Sequence, residues 1–416
     1  WQSLLKLIEE PPAKTVFLFC LEENGLVYTK KGMKKIKDVT TDDFVWTGDE
    51  FRPVSNVFNN GIRDCLKITL SNGEEIKCTG NHKLKVLDGT QEVWKCASDL
   101  TTNDVIAVYH SYDEYEESVD LTDTECWFLG YLTGNGHYRK KSMEFFTPKH
   151  KLDYVHHKLD ICISEGWLSH YEDVRDIGAV TTQIHFPYGT LLKWYDKTGC
   201  DYTYTRGTKS IPKCVYKMNK EQLESFVQGW YDADGSSFGK LFLSDIPHPQ
   251  LYCSSKLMIQ ELQQLLLAKG YDARLYTSER NNVKLPNGRV HKQTSYCYSL
   301  AISHQSGYFK NSILKNWMYE HRLKECTPYI PEAKNLKRDN KQISAVMINK
   351  SQLKDLQGNK WYQNIKSIEP YGKCSVYDLE IPVVHEFIYN GVKVHNCTTD
   401  PQKIPNTILS RVQRYD

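Results

Sequence analysis

The stretch GVKVHNCTTD, residues 391–400, joins two sequence patterns that do not belong to one structural element. Alternating apolar and polar residues lead into His395-Asn396-Cys397, as at the end of a strand. The chain then continues as TTDPQKIPNTILSRVQ, which has the character of a polar loop followed by a helix. An imidazole, an amide and a thiol therefore meet at a boundary between two kinds of sequence, which makes this boundary a candidate for chemistry.

The composition is that of an ordinary globular protein with two or three packed domains. The chain has 416 residues, 40% hydrophobic and 25% charged, with a net charge of +2. No apolar run is long enough to cross a membrane and no secretion signal is present, so we expect a cytoplasmic monomer without a membrane partner. The 13 cysteines form no C-x-x-C pair, which argues against zinc and for mostly buried thiols.

Two β-rich segments flank a central segment with a different pattern. Short alternating segments fill residues 20–109, with hairpin signals at Ser71-Asn72-Gly73 and Asp88-Gly89, and this texture returns from Asn359. The segment between them is mixed α/β. We predict helices in it near 124–134, 150–165, 220–234, 254–268 and 308–320. The pattern predicts an all-β domain, residues 20–115 and 355–396, split by an inserted α/β domain, residues 121–342.

One motif occurs twice in the inserted segment, as FLGYLTGNG at 128–136 and as VQGWYDADG at 227–235. The spacing is too long for a solenoid repeat and suits two α/β halves related by a pseudo-two-fold axis.

The two ends of the chain read as one interrupted sequence. Residues 1–19 predict an amphipathic helix, a stop at Pro11-Pro12 and a buried strand, Thr15 to Phe19. Joining Phe19 directly to Cys397 gives strand, polar loop and helix without a break. We infer that residues 20–396 interrupt another protein's sequence, with residues 1–19 and 397–416 as its flanks.

The motifs at the two boundaries, in order, resemble the splicing blocks of an intein. They are CLEENGLVYTKKG from Cys20, TGNH at 79–82, VYDLEIPVVHEF at 376–387 and the closing VHNC. The resemblance covers residues 20–396 and implies an all-β Hint fold that catalyses its own excision without a cofactor, with the flanks as substrate.

The chemistry of the first junction follows from the residue types. The Cys20 thiol lies within five-membered-ring reach of the Phe19 carbonyl, so proximity favours conversion of that amide into a thioester. The departing nitrogen needs a proton, for which His82 is the candidate donor. Thr79 is the candidate group for polarising the carbonyl.

The second junction needs a second thiol and an amide. Cys397 is the expected acceptor of the acyl group, and Asn396 can then cyclise onto its own carbonyl and cut the Asn396–Cys397 bond. His385 is suited to activating the amide, and His395 to polarising the carbonyl or protonating the leaving amine. The family resemblance adds Asp378 as an acid that tunes the thiols.

The repeated motif resembles the LAGLIDADG signature of homing endonucleases. Gly130 and Gly134, and likewise Gly229 and Ala233, give each predicted helix a small-residue face for close packing. The resemblance implies acids at the paired helix ends that bind Mg²⁺, and an active-site lysine matched by Lys209. The second motif supplies Asp234, but the first has Asn135 at the metal position, so we predict weak, single-stranded or absent cleavage.

Double-stranded DNA is the partner that this resemblance implies. Residues 239–340 are more basic than acidic, and we expect β-ribbons in the major groove of a site in the host gene. The candidate phosphate contacts are Arg274, Arg280, Lys284, Arg289 and Lys292.

The joined flanks resemble a bacterial clamp-loader ATPase, the tau/gamma subunit of DNA polymerase III. LLKLIEEPP, TTDPQKIP and ILSRVQ match its helix, its sensor loop and its arginine-finger segment, with Arg411 at the finger position. The chain has no G-x-x-x-x-G-K-[ST] motif, so we expect no ATPase activity from it.

Two other functions compete with splicing. The chain could be an active DNA-cutting or nicking enzyme whose β segments serve as scaffold, or a clamp-loader fragment with an inert insertion. Both predict a stable full-length chain, whereas splicing predicts its conversion to products.

Overall fold

The computed structural model describes most of the two predicted domains. The described residues are 20–89, 91–110, 119–139, 142–177, 180–199, 209–238, 248–271, 273–280, 283–284, 290–291, 295–302 and 360–396. Both flanks, with Phe19 and Cys397, lie outside them, as do Arg289, Lys292 and the helix expected near 308–320.

The elements follow one another from β domain to inserted domain and back. The first β segment contains β1 (Leu21–Glu22), β2 (Leu26–Thr29), β3 (Gly32–Lys35), β4 (Phe44–Trp46), β5 (Phe51–Pro53), β6 (Asn56–Leu70), β7 (Glu75–Thr79), β8 (Lys83–Asp88), β9 (Gln91–Cys96) and β10 (Val105–Tyr109). The first half of the insertion contains α1 (Asp123–Asn135), β11 (Gly136–Arg139), β12 (Ser142–Pro148), α2 (Leu152–Ser164), β13 (Glu172–Ile177), β14 (Thr181–Phe186) and α3 (Tyr188–Thr198). The second half contains α4 (Lys220–Asp234), β15 (Gly235–Phe238), β16 (His248–Cys253), α5 (Lys256–Ala268), β17 (Ala273–Arg280), β18 (Val283–Lys284), β19 (Val290–His291) and β20 (Ser295–Ile302). The chain returns to the β domain with β21 (Lys360–Glu380), β22 (Glu386–Tyr389) and β23 (Val392–His395).

The β domain is built from strands on both sides of the insertion. Its 13 strands form one antiparallel sheet system in the order β1-β7-β6-β21-β10-β8-β23-β22-β2-β4-β5, with β3 on β2 and β9 on β8. The first residue of β21, Lys360, pairs with the last residue of β10, Tyr109. The chain therefore leaves and re-enters the sheet at neighbouring positions, and the insertion leaves the sheet intact.

The inserted domain repeats one α-β-β-α-β-β unit. Its two main sheets have matching orders, β11-β12-β14-β13 and β15-β16-β20-β17. Helices α1 and α4 pack against each other through their glycines. A Cβ at Gly130 would lie 1.8 Å from the Phe226 carbonyl oxygen, and one at Gly229 would lie 1.9 Å from the Trp127 carbonyl oxygen. The predicted pseudo-symmetry and small-residue faces are confirmed.

Helix α5 and the β6–β7 turn join the two domains. Lys256 pairs with Glu75 at 2.6 Å, and the Gln264 side-chain amide donates to Glu74 at 2.6 Å. The Leu275 backbone N–H, in β17, donates to the Asn72 carbonyl at 2.9 Å. The β6–β7 region of the β domain and the second half of the insertion thus share a polar, partly buried contact.

Two predicted hairpins and four of the five predicted helices are found at their expected places, and the fifth helix lies outside the described residues. Helix α3 was not predicted. Its signals are Pro187 just before its start and Gly199, with a positive φ of 60°, just after its end.

No described helix is long and apolar enough to cross a membrane.

Candidate functional site

Four distant segments of the chain meet at one end of the β domain. The two-residue strand β1 lies between β7 and β21, because Leu21 pairs with both Cys78 and Tyr377. Cys20 therefore sits beside Thr79, at the end of β7, and near Asp378 in β21. Strand β23 runs beside β8, with Val394 opposite Leu84, which brings His395 toward the turn that holds His82.

Backbone and side-chain bonds hold Cys20 against Thr79. The Cys20 N–H donates to Thr79 Oγ1 at 3.1 Å, and the Thr79 N–H donates to the Cys20 carbonyl at 2.9 Å. Cys20 N is the nitrogen of the Phe19–Cys20 bond, so Thr79 contacts the nitrogen that would depart. The carbonyl of that bond belongs to Phe19, outside the described residues.

The Cys20 thiol is buried, and the side-chain amide of Asn60 donates to its Sγ at 3.2 Å. Burial raises the pKa of the thiol to about 11, while the hydrogen bond from Asn60 works in the opposite direction and the nearby Asp378 carboxyl adds to the rise. The sequence prediction did not include Asn60.

His82 is fully buried at a tight turn. Its backbone N–H donates to the Thr79 carbonyl at 3.0 Å, which closes the turn and explains the spacing of the T-x-x-H motif. Neither ring nitrogen has a hydrogen-bond partner within the described residues. Burial, followed by the proximity of His395, lowers the pKa of His82 to about 3, so the ring is neutral at neutral pH and carries one N–H.

Asp378 is buried in β21, opposite Phe58 of β6. Its Oδ1 accepts a hydrogen bond from the Leu379 backbone N–H at 2.8 Å. This position places a carboxyl group near the Cys20 thiol.

Asn396 is clamped by backbone groups of the turn between β21 and β22. In the amide orientation that satisfies both polar atoms, its nitrogen donates to the His385 carbonyl at 2.8 Å and its oxygen accepts from the Ile381 N–H at 2.7 Å. The His395 Nδ1–H donates to the Asn396 carbonyl at 2.6 Å. Because a carbonyl oxygen can only accept, this contact fixes the His395 tautomer and aims it at the carbonyl of the Asn396–Cys397 bond.

The turn that holds Asn396 has a strained backbone. Val383 and His385 have positive φ values of 74° and 55°, and such a conformation is an outlier for a β-branched residue such as Val383. The His385 ring lies parallel to the His395 ring, with centroids 6.4 Å apart. His385 contacts the Asn396 amide through its carbonyl, and its ring Nδ1 has no partner within the described residues.

Comparison with known families decides the assignment. The family model described as "Intein splicing domain" matches residues 18–396, well over half of the chain. The chain belongs to the intein family.

Curated relatives of this intein include two replicative proteins. The replicative DNA helicase DnaB of Synechocystis sp. is 21% identical over 91% of this chain and 49% of its own length. The replication factor C small subunit of Methanocaldococcus jannaschii is 24% identical over 77% of this chain and 16% of its own length. The chain thus spans about half, or less, of these relatives.

Solved structures similar to this chain include a mini-intein and a DNA complex. A mutant of the Ssp DnaB mini-intein has a TM-score of 0.30 at 11% identity, over 91% of this chain and 99% of that one. A variant of I-DmoI in complex with its target DNA has a TM-score of 0.31 at 13% identity, over 46% of this chain and 96% of that one.

The ends of α1 and α4 meet in the inserted domain of the intein. The Asn135 side-chain amide donates to the Ala233 carbonyl at 2.9 Å, and the Lys151 ammonium donates to the Asp232 carbonyl at 2.8 Å. The Asp234 side chain is exposed. Two carbonyls at the C-terminal end of α4 are therefore occupied by N–H donors from the first half.

The contacts of Asp232 are those of a residue that holds helices together. Its carboxyl is buried and accepts hydrogen bonds from Trp127 Nε1 at 2.8 Å and from the Tyr154 hydroxyl at 2.9 Å. These bonds tie α4 to α1 and α2.

The predicted basic residues are only partly placed. Lys209 is half-buried, and its carbonyl accepts from Ser255 Oγ at 2.5 Å, at the start of α5. Arg274 lies in β17 opposite Ala301, Arg280 ends that strand, and Lys284 lies in β18. The side chains of Arg280 and Lys284 lie outside the described part. Within the described ranges, no three His, Cys, Asp or Glu residues are grouped so as to hold a metal ion.

The depressed pKa of His82 predicts a pH-dependent stability. Below the ordinary value of 6.5 the unfolded chain binds a proton at His82 that the folded chain excludes, so stability is lost as pH falls. Between pH 7 and pH 5 we expect protonation of His82 in the unfolded chain to lower the free energy of unfolding by about 2 kcal/mol. Denaturant unfolding of a chain carrying Cys20→Ala and Asn396→Ala measures it.

The comparison that isolates His82 is the same chain with His82→Gln added. His110 and His395 also have lowered pKa values because they are buried, so both chains lose stability toward acid. The His82→Gln chain should lose about 2 kcal/mol less over this range. Equal losses in the two chains would contradict a buried neutral His82.

Proposed function

We propose that residues 20–396 excise themselves and join Phe19 to Cys397. The observation that carries the proposal is that the nitrogen of one junction and the carbonyl of the other are held within one buried site. Thr79 Oγ1 accepts from Cys20 N at 3.1 Å, and His395 Nδ1 donates to the Asn396 carbonyl at 2.6 Å. Contacts with both scissile bonds are what a splicing reaction requires.

The first step exchanges an amide for a thioester. The Cys20 thiol passes its proton to solvent and its sulfur attacks the carbonyl carbon of Phe19, so that a C–S bond forms and the C–N bond breaks. The electron pair goes to Cys20 N, which must gain a proton. One proton taken back from solvent then balances the proton that Cys20 N gains. Thr79 Oγ1 already contacts this nitrogen, and the neutral His82 ring carries an N–H that can be donated nearby. Proximity of the thiol lowers the barrier to attack, whereas the loss of amide resonance leaves the thioester higher in free energy than the amide.

The second step moves the acyl group to Cys397. Its thiolate attacks the thioester carbon, a new C–S bond forms and the electron pair of the old one returns to Cys20 Sγ. We propose that Asp378 tunes this exchange through its negative charge near Cys20. Thioester exchange is close to isoenergetic, so the following step must draw the reaction forward.

The third step is cyclisation of Asn396. Its Nδ2 attacks its own carbonyl carbon, the Asn396–Cys397 C–N bond breaks, and the amine of Cys397 takes the proton. The His395 Nδ1–H stabilises the oxygen on which negative charge develops. The His385 carbonyl accepts from Nδ2 at 2.8 Å, and we propose that His385 raises the nucleophilicity of this amide. A final S-to-N shift then forms the Phe19–Cys397 amide.

Each step uses groups of the chain itself, so we propose that splicing needs no cofactor. The chain with its own flanks as substrate acts once, as a monomer, and we propose the cytoplasm, where cysteines stay reduced, as its compartment.

Variants at the two junctions should give different products. Cys20→Ala removes the first nucleophile and should leave only cleavage after Asn396. Asn396→Ala removes the cyclising amide and should give the thioester or branched species, cleaved before Cys20 by added thiol. Denaturing gel electrophoresis of chains tagged at both ends separates these products from the joined flanks of the parent.

Asn390→Ala is the matched control, because Asn390 contacts Leu26 and Glu75 rather than either junction. It should still join the flanks. A parent that stays full length, or variants with the product pattern of the parent, would contradict splicing.

We infer a second function, binding of double-stranded DNA, for the inserted domain. Its two α-β-β-α-β-β halves and glycine-packed helix pair support a LAGLIDADG homing endonuclease, with a site in the host gene as ligand. Arg274, Arg280 and Lys284 lie on β17 and β18 and are proposed phosphate contacts, together with Arg289 and Lys292. Lys209 is the proposed active-site lysine.

The helix ends do not fit a pair of divalent cations as they stand. Asn135 replaces one carboxylate, and its amide occupies the Ala233 carbonyl, an oxygen of the kind that Mg²⁺ prefers. The Lys151 ammonium adds a positive charge beside Asp232 and Asp234. We therefore propose impaired cleavage, with Mg²⁺ at Asp234 and Asn135 as the cofactor of any cleavage that remains.

Cleavage of a plasmid carrying the uninterrupted host-gene site tests this proposal. In Mg²⁺ the parent chain should give little linear product while still retarding the DNA on a gel. The double variant Asn135→Asp, Lys151→Ala restores the second acid and removes the local positive charge. It should bind Mg²⁺ more tightly, as measured by calorimetry, and should convert more of the plasmid to the linear form.

Lys149→Ala serves as the matched lysine control, because the exposed Lys149 ammonium pairs with Asp176 at 2.5 Å. Efficient double-strand cutting by the parent would contradict impairment and would favour the active endonuclease as the main function.

The flanks are proposed to belong to a clamp-loader ATPase subunit, on the sequence matches given above. The described residues do not include them.

A further inference from the structure

Strand β6 contains a bulge opposite Val376 of β21, near Cys20. Asn59 pairs with Tyr377 and Ile62 pairs with Ser375, so Asn60 and Gly61 together oppose the single residue Val376. Gly61 has a φ of +69°, and a Cβ there would meet nothing within 4 Å. The glycine is therefore needed for its backbone conformation, as in bulges that place an αL residue in one strand.

Side-chain bonds of Asn59 hold this bulge in place. Asn59 Oδ1 accepts from the Gly61 N–H at 3.0 Å, and Asn59 Nδ2 donates to the Tyr377 hydroxyl at 2.9 Å. The extra residue changes the direction in which the next side chain leaves the strand. As a result, Asn60 Nδ2 reaches Cys20 Sγ at 3.2 Å.

We propose that Asn60 is a catalytic residue that stabilises negative charge on the Cys20 sulfur. This role deepens the proposed splicing function and rests on it. The amide N–H touches the reacting atom, and an N–H bond to an ionised acceptor is stronger than one to a neutral thiol.

The surroundings of Cys20 explain why such a donor is needed. The thiol is buried, the Asp378 carboxyl disfavours a second negative charge nearby, and Cys374 acts in the same direction. The Arg63 guanidinium is a favourable charge, and Asn60 is a neutral donor within hydrogen-bond distance. The thiols of Cys65 and Cys78 complete this buried group.

The same N–H serves two steps. Before the first step the proton leaves Cys20 Sγ, and the donor stabilises the thiolate that attacks Phe19. During transfer to Cys397 the C–S bond of Cys20 breaks and its electron pair returns to Sγ. Asn60 then faces the leaving thiolate, which makes Cys20 a better leaving group.

The test uses the full chain with Asn396→Ala, in which only thioester formation and transfer remain. Cleavage before Cys20 by added hydroxylamine reports the thioester. Asn60→Ala should slow it roughly 10- to 100-fold and displace its pH–rate profile toward higher pH, because a charge-assisted hydrogen bond is lost. Asn60→Ser, which keeps a short donor, should recover part of the rate.

Two controls separate catalysis from structure. Asn56→Ala changes an exposed asparagine of the same strand, whose Oδ1 accepts only from the adjacent Val57 N–H at 3.0 Å among the contacts seen, and should leave the rate unchanged. In a Cys20→Ala chain, Asn60→Ala should leave cleavage after Asn396 unchanged.

Unaltered thioester formation in Asn60→Ala would overturn the role of Asn60. Equal slowing of both junctions, without displacement of the pH profile, would also overturn it, since that pattern belongs to a structural residue. If the parent with Asn60 intact forms no thioester, the splicing function itself fails, and this outcome is distinct from either of the others.

Discussion

The ladder between β6 and β21 is the interaction on which the rest of the molecule depends. It pairs residues from Leu70 with Ile365 to Asn56 with Glu380, and it joins chain segments separated by the whole insertion. The same ladder places Asp378 near Cys20 and forms the bulge that turns Asn60 toward the thiol. Because the register is set along the full ladder, a shift in pairing would separate these groups. The splicing site is thus a consequence of strand register.

Burial shapes the chemistry of that site. It favours the neutral forms of both Cys20 and His82, raising the pKa of one and lowering that of the other. A thiolate in such a place needs donors aimed at it, and the same enclosure limits the access of water to a thioester. The site therefore holds a buried thiol of raised pKa in a fixed position beside Thr79.

The inserted domain is attached without disturbing this arrangement. It enters and leaves the sheet at the paired residues Tyr109 and Lys360, and it contacts the β domain through α5. Its two halves pack through α1 and α4, and the end of α4 accepts hydrogen bonds from Asn135 and from Lys151, which precedes α2. The glycine faces set the packing of the two helices, and the polar groups at their ends are not needed for that packing.

Local patterns predicted the parts that depend on local physics. Residue types and their spacing predicted Cys20, the T-x-x-H turn and the terminal Asn396. The spacing of small residues likewise predicted the faces through which α1 and α4 pack. The contact of Asn60 with Cys20 was not predicted, because the direction of the Asn60 side chain depends on a bulge formed with a strand more than 300 residues away. The clamp on Asn396 was missed because it consists of backbone groups of Ile381 and His385, which residue types do not reveal.

The most direct test of the account is the intact mass of the products from the unaltered chain. Splicing predicts joined flanks, residues 1–19 and 397–416, together with residues 20–396 lighter by one water molecule than the same segment ending in free Asn396. That difference is the mark of a C-terminal succinimide. A full-length mass alone, or fragments without joined flanks, would contradict the account.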